Sequence, residues 1–409
     1  MSQPVINENT LETVKATAAV LEERGTEITS HFYKRMFNNH PELLNIFNQT
    51  NQKIGRQPKA LANTVLAAAK NIDQLETLLP VVKNIAHKHR SLQIKPEHYP
   101  IVGENLLAAM QEVLGEAATD EVITAWEEAY NVIADVFISV EKEMYQEAEE
   151  QDGGWEGFRT FTVVKKVPES DVITSFYLRP ADGGSLPLFE PGQYITIKAD
   201  IPGEDYLHLR QYSLSDAPNR DYFRISVKRE EGGGQAPDGI VSTFLHRHMN
   251  EGDSLELTAP AGDFYLQEGS RPVVLISGGV GLTPLMSMFN TLAEDPSRPV
   301  TFIQTAQSRN LHALHEYTSR VADINPHVSY HVCYDTWTEA EEKDPYVQKE
   351  GYLDAEWLQS LKLDEEADYY FCGPLPFLRA VNRILKKELH IPADRLHFEF
   401  FGPAADIEE

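Results

Sequence analysis

The segment Glu147–Val167, EAEEQDGGWEGFRTFTVVKKV, decides the fold. As far as Glu150 it continues a helical pattern; Asp152, Gly153 and Gly154 then interrupt it, and from Phe158 short strand-like runs begin. Glycine has little cost in a turn and a real cost inside a helix, so this pair marks a domain hinge. Upstream of it, apolar residues recur every three or four positions. Leu78, Val82 and Ile85 form one such stripe, Ile101, Leu106, Met110 and Val113 a second, and Val122, Trp126, Tyr130, Ile133 and Phe137 a third. Downstream, runs such as ITSFYLRP and QYITIKAD are separated by the turn clusters ADGGS, EPGQ, IPGED and DAPNRD. After Arg271 the runs VVLIS, VTFIQTA and YYFCG read as buried strands alternating with helices. The sequence therefore predicts three domains: an all-α domain at 1–150, an antiparallel β-barrel at 155–265 and an α/β domain with a parallel sheet at 270–409.

The 409 residues are too many for a single core. With 36 Lys and Arg against 63 Asp and Glu, the formal charge is −27, which disfavours nucleic acid and anionic membrane surfaces as partners. No run of apolar residues approaches the length of a membrane span. The N-terminal residues lack the basic and apolar pattern of a secretory signal, and the two cysteines, Cys333 and Cys372, cannot build a disulfide framework. A cytoplasmic location is expected.

In the helical region, His89 continues the stripe Leu78, Val82, Ile85 and so faces the interior. A core histidine bonded to a carbonyl is one reading. Glu141, however, follows Trp126, Tyr130, Ile133 and Phe137 on one helical face, where a carboxylate needs a partner. Tyr99 lies just beyond the helix-breaking Lys95-Pro96. His89, Tyr99 and Glu141 together would form a hydrogen-bonded chain that leaves one imidazole nitrogen for a metal. The other histidines His31, His40, His87 and His98 are also candidates, but His87 is off the stripe and His98 is expected in a turn, so His89 is the better choice. In the last third, VVLISGGVGLTP at 273–284 predicts strand, glycine turn and helix. Gly278, Gly279 and Gly281, with Val280, Leu282, Thr283 and Pro284, would bring a dinucleotide to the backbone and the helix N-terminus.

At this point the residues resemble a family. HFYKRMF, NHPELLNIFN, HKHRSLQIKPEHYPIVGENLL and FISVEKEMY resemble the globin domain of bacterial flavohaemoglobins. The ordered set PGQY, RQYS, VKREEGG and G-x-V-S resembles the FAD domain of ferredoxin–NADP reductases, and GGVG-x-TP their NAD(P) domain. The resemblance implies haem b on His89, with Tyr99 and Glu141 holding its other nitrogen. It implies Tyr33 as the distal phenol toward O₂, with Gln57 nearby, Phe47 against the porphyrin, Leu61 and Val65 as an apolar wall, and Lys88 tuning the haem. It places FAD on Tyr194, Arg210, Gln211, Tyr212 and Ser213 and on the helix start Val241, Ser242 and Thr243. Cys372 and Gly373 would lie near the nicotinamide, and Glu399, Phe400, Phe401, Gly402 and Pro403 would return to cover the flavin. Ser308 and Arg309 are either a contact for the 2′-phosphate of NADPH or a solvated loop. The implied activity is nitric oxide dioxygenase: NADH or NADPH reduces FAD, FAD reduces haem, and O₂ converts nitric oxide to nitrate, in a monomer. A haem-based gas sensor would need no reductase motifs, and a general diaphorase or ferric reductase would need no distal set.

Overall fold

The computed structural model describes residues 6–47, 52, 55–233, 237–402 and 407. By their contacts the residues form two compact units, one of residues up to Glu150 together with Pro202–Leu209, the other of Gln151–Ile201 and Arg210 onward.

The first unit holds α1 (Glu8–Ala16), α2 (Ala18–Asn39), α3 (Arg56–Lys70), α4 (Leu79–Ser91), α5 (His98–Leu114) and α6 (Asp120–Glu150). Local chemistry sets their ends. The Asn7 side chain caps α1 by accepting from the Thr10 N–H, and Asp120 and Glu121 meet the positive end of α6. Helix α2 packs against α3 and α5, and α6 against α1 and α4. The apolar interior divides into two clusters. One gathers Ile28, Phe32, Tyr33 and Met36 of α2 with Met110 and Trp126; the other gathers Val82, Tyr99, Ala134 and Phe137. Met36 is fully buried, and truncating such a side chain to alanine costs about 2–5 kcal/mol. His98 opens α5 instead of sitting in a free turn, because its Nδ1 accepts from the Lys95 N–H at 3.0 Å and stabilises the helix entry.

In the second unit, β1 (Arg159–Pro168), β2 (Ile173–Pro180), β3 (Tyr194–Ala199), β4 (His208–Ser213), β5 (Phe223–Lys228) and β6 (Ser254–Leu257) form one antiparallel sheet in the order β4-β3-β6-β1-β2-β5. Its edge strands meet at an isolated bridge between Leu214 and Ile225, giving the barrel-like form. Phe161, Val163, Phe176 and Ile195 point inward, and α7 (Ile240–His248) plugs one end through Val241 and Leu245.

A second sheet of the same unit contains β7 (Val273–Gly278), β8 (Val300–Ala306), β9 (Val328–Tyr334), β10 (Val347–Glu350), β11 (Asp368–Cys372) and β12 (Leu396–Glu399). All five pairings are parallel, in the order β10-β9-β8-β7-β11-β12. Val273 and Leu275 of β7 face α8 (Leu282–Ala293), while Val274 and Ile276 face α10 (Ala355–Ser360) and α11 (Leu375–Arg383). Both faces are covered, so the strand is apolar without alternation from Val273 to Ile276. Helix α9 (His315–Ile324) lies between β8 and β9 in the chain. From β7 the order runs one way to β10, then returns to β11 on the other side, so the topology switches between β7 and β11. Ligands of open α/β sheets bind at the carboxyl ends of such a pair, here at Gly278 and Cys372.

Candidate functional site

His89 lies in the last turn of α4, with its side chain 32% exposed. Its Nδ1 is 2.7 Å from Glu141 Oε1 and 3.2 Å from the Tyr99 hydroxyl, and the Tyr99 hydroxyl donates to the same carboxylate oxygen at 2.5 Å. Helices α4, α5 and α6 thus contribute one member each. Glu141 is buried, and a buried carboxylate is tolerable only with donors of this kind. Burial and the neighbouring carboxylate push the Tyr99 phenol well above its ordinary value, which keeps it a donor. Because the carboxylate can only accept, the proton of a neutral His89 belongs on Nδ1 and the lone pair on Nε2. Among the described residues Nε2 has no hydrogen-bond partner, and the Phe137 ring stands 5.8 Å from the imidazole.

The competing histidines are engaged elsewhere: His31 with Glu112, His40 with Glu42, His98 with the Lys95 backbone. Among the described residues no cluster of three or more His, Cys, Asp or Glu is arranged to hold a bare metal ion. A single open imidazole backed by a carboxylate, between two apolar clusters, fits a planar cofactor that brings its own equatorial ligands.

The buried Tyr33 phenol sits among aromatic rings, Phe37 and Phe47 both at 5.8 Å. Burial raises its pKa, while the amides of Gln52 and Gln57 beside it act the other way. Gln52 Nε2 is buried without a hydrogen-bond partner, a donor that a polar ligand in this pocket would satisfy. Leu61 and Val65 pack on the same cluster, and Lys88 is half-buried beside His89.

In the barrel, Ser213 ends β4 buried, Arg210 and Tyr212 are half-buried and Gln211 is exposed. Tyr194 opens β3. Burial lowers the pKa of Arg210 and raises that of Tyr212. An anionic phosphate would offset the desolvation of such a guanidinium. Val241 and Ser242 lie in the first turn of α7, where backbone N–H groups lack helical acceptors; the Thr243 N–H already donates to the Gly239 carbonyl at 2.9 Å, and Thr243 Oγ1 is buried without a partner. These features fit a dinucleotide flavin.

At the switch point, Gly278 ends β7, and Gly279, Val280 and Gly281 form a single 3₁₀ turn into α8, whose first residues are Leu282, Thr283 and Pro284. Gly279 has φ +56° with open space where a Cβ would be. A Cβ on Gly281 would lie 2.2 Å from the Cys372 carbonyl oxygen, so only glycine lets the turn approach β11. Cys372 is fully buried and its thiol is pushed well up by burial. It stands in register with Glu399 of β12, followed by Phe400, the exposed Phe401 and Gly402; Gly373 follows Cys372, and Pro403 lies outside the described residues.

Ser308 and Arg309 follow β8, but Arg309 is not a free cation. It reaches Asp344 at 3.2 Å and Glu316 at 3.6 Å. Sequence reasoning passed over this pairing, and with it Gln52, Tyr130 and Tyr145. The Tyr130 hydroxyl donates to the Tyr99 carbonyl at 2.6 Å and Tyr145 to the Ile94 carbonyl at 2.8 Å, fixing the turn between His89 and Tyr99. Tyr130 had been visible only as one more member of an apolar stripe. A buried seam between the two sheets was also missed: Asp216 Oδ1 accepts from Asn290 at 2.7 Å, its carbonyl from Ser287 at 2.7 Å, and its other carboxylate oxygen lies 3.4 Å from Arg224.

The fold and these sites define a globin joined to a flavin- and nicotinamide-dependent reductase. The globin family model matches residues 30–137, the oxidoreductase FAD-binding domain 161–265 and the oxidoreductase NAD-binding domain 275–383. A flavohaemoprotein of Halalkalibacterium halodurans is 58% identical over 409 residues, covering 100% of this chain and 99% of that protein. One from Bacillus subtilis is 49% identical over 407 residues, covering 99% of this chain and 100% of that protein. Among solved structures, the flavohaemoglobin of Malassezia yamatoensis with bound FAD and haem superimposes with TM-score 0.83 at 27% identity, over 97% of this chain and 100% of that one. The FAD/NAD-binding domain of nitric oxide dioxygenase from Vibrio cholerae is 40% identical with TM-score 0.54, over 60% of this chain and 99% of that one. The chain belongs to the flavohaemoprotein family. Among its described residues no helix is long and apolar enough to cross a membrane.

Proposed function

We propose that the chain is a nitric oxide dioxygenase, a monomer in the cytoplasm, that draws electrons from NADH or NADPH. When bound, FAD would take one hydride, which carries two electrons, and release them singly, and haem would supply the iron at which O₂ is used to convert nitric oxide to nitrate. His89 holds the haem through Nε2, while Glu141 and Tyr99 fix its tautomer and orientation from the Nδ1 side. Tyr33, kept protonated by burial, presents its O–H to O₂, with Gln57 and Gln52 beside it and Phe47, Leu61 and Val65 excluding water. Arg210 and the first turn of α7 hold the flavin phosphates; Tyr194, Gln211, Tyr212 and Ser213 bind the rest of the molecule. The turn Gly278–Gly281 receives the coenzyme pyrophosphate, and Cys372 and Glu399 border the nicotinamide.

The observation that carries this reading is the 2.7 Å contact between His89 Nδ1 and a carboxylate, in a chain that also holds a reductase. Such backing favours activation of O₂ over reversible storage. The test is nitrate yield from purified protein supplied with NADH, O₂ and nitric oxide. Tyr33→Phe keeps the ring and removes one hydroxyl, so nitrate formation should fall about tenfold, with flavin reduction by NADH unchanged. Nitrate formation at the wild-type rate in Tyr33→Phe would remove Tyr33 from the site.

A further inference from the structure

We propose that Asp344, by holding Arg309, makes the α/β domain discriminate against the 2′-phosphate of NADPH. The inference rests on the reading of Gly278–Gly281 as the coenzyme turn. Arg309 begins the 3₁₀ turn after β8, the strand that pairs with β7 along its whole length. In dinucleotide-binding sheets this strand end meets the adenosine ribose: a carboxylate there accepts from a free 2′-hydroxyl, and an arginine there accommodates a 2′-phosphate. This chain places both groups at that position, so their mutual geometry decides.

Asp344 is already fixed before any coenzyme arrives. Its Oδ1 accepts from the Tyr346 N–H at 3.0 Å, and its Oδ2 lies 2.8 Å from His315 Nε2. The same Oδ2 accepts from Arg309 Nη1 at 3.2 Å. His315 is in turn held by the Tyr330 hydroxyl at 2.9 Å, deep in the domain. The carboxylate is therefore anchored from the interior, and Arg309, which also contacts the Tyr334 hydroxyl, docks onto it. Glu316, 86% exposed and 3.6 Å from the guanidinium, adds a second negative charge. Glu341 also feels this guanidinium, so carboxylates outnumber the one cation and the spot is net negative. A phosphate must either displace Asp344 from Arg309 or bind beside two carboxylates. A ribose hydroxyl faces neither cost.

Asp344→Asn keeps the shape and removes the charge. A charge-assisted bond is worth enough that the kcat/KM ratio of NADPH to NADH should rise about tenfold. Calorimetric binding of NADP⁺ relative to NAD⁺ should strengthen by a similar factor. Adding Arg309→Ala to Asp344→Asn should erase that gain, which a merely structural role for the pair would not do. Glu316→Gln, at an exposed position that cannot endanger folding, should move the same ratio in the same direction by about twofold. Equal changes for both coenzymes in Asp344→Asn and Glu316→Gln would overturn the proposal, as would wild-type protein that binds NADP⁺ and NAD⁺ alike. If NADH failed to reduce the flavin of the wild type, the reading of the coenzyme turn itself would fall instead.

Discussion

His89 in the helical unit and His312 in the flavin–nicotinamide unit each sit beside a tyrosine hydroxyl and one further polar side chain. His312 Nδ1 is 2.8 Å from the Tyr334 hydroxyl and its Nε2 is 2.5 Å from Gln304 Oε1. Both ring nitrogens are consumed, and the residue is buried. His89 has both contacts on the same nitrogen, one of them a carboxylate, and its side chain is one-third exposed. The difference teaches how to read a histidine on an apolar stripe. Where the protein satisfies both nitrogens, the ring is a structural strut. Where it loads one nitrogen and leaves the other without a hydrogen-bond partner among the described residues, the ring is available as a ligand, the role proposed here for His89.

The strongest way to break the comparison is to truncate both rings. His89→Ala should abolish the Soret band of the isolated protein while leaving flavin content at wild-type level. His312→Ala should leave haem content untouched. Full haem retention with unchanged iron coordination in His89→Ala would put the ligand elsewhere.

A smaller effect is expected from the carboxylate that distinguishes the two networks. Glu141→Gln retains the shape but offers a weaker, neutral acceptor to Nδ1. Haem should remain, with nitrate turnover reduced about 10- to 100-fold, the usual consequence of altering the group behind a metal-ligating histidine. The iron–histidine stretching band should move to lower frequency as the imidazole becomes less basic. An unmoved band would show that Glu141 serves packing alone.

The smallest effect concerns acid. Burial holds His312 well below the ordinary histidine value. Above pH 6.5 folded and unfolded chains both keep this ring neutral, and its contribution is fully present. As pH falls below 6.5 the unfolded chain takes up a proton that the folded one refuses, so stability is lost, by at most about 1.4 kcal/mol per pH unit. Flavin release on heating should therefore move to lower temperature between pH 7 and pH 5, and less so in His312→Phe. The same slope in both proteins would assign the acid sensitivity to other groups.

Much of this was legible in the sequence because its signals are local. The change of texture at Gly153 and Gly154, the strand–glycine–helix run at 273–284, and the stripes carrying His89 and Glu141 depend on residues within a few turns of each other. What escaped depends on distant packing. DAPNRD read as a turn cluster, yet its Asp216 is buried against Asn290 of α8, 74 residues away. Arg309 read as a 2′-phosphate contact or part of a solvated loop because Asp344, its partner, lies 35 residues on in a loop before another strand. Tyr130 declared its ring through the helical period, but nothing local tells where its hydroxyl goes.

The seam at Asp216 bears on how this chain can be recombined. Asp216 and Arg224 come from the barrel, Ser287 and Asn290 from the α/β layer, and all four are buried. A crossover that joined this barrel to a foreign nicotinamide domain would keep the Asp216–Arg224 pair but remove the Asn290 amide that donates to the carboxylate and the Ser287 hydroxyl that donates to the Asp216 carbonyl, leaving buried acceptors unsatisfied at about 1–3 kcal/mol each. The two sheets therefore transfer best as one cassette, with Asp216, Arg224, Ser287 and Asn290 kept together.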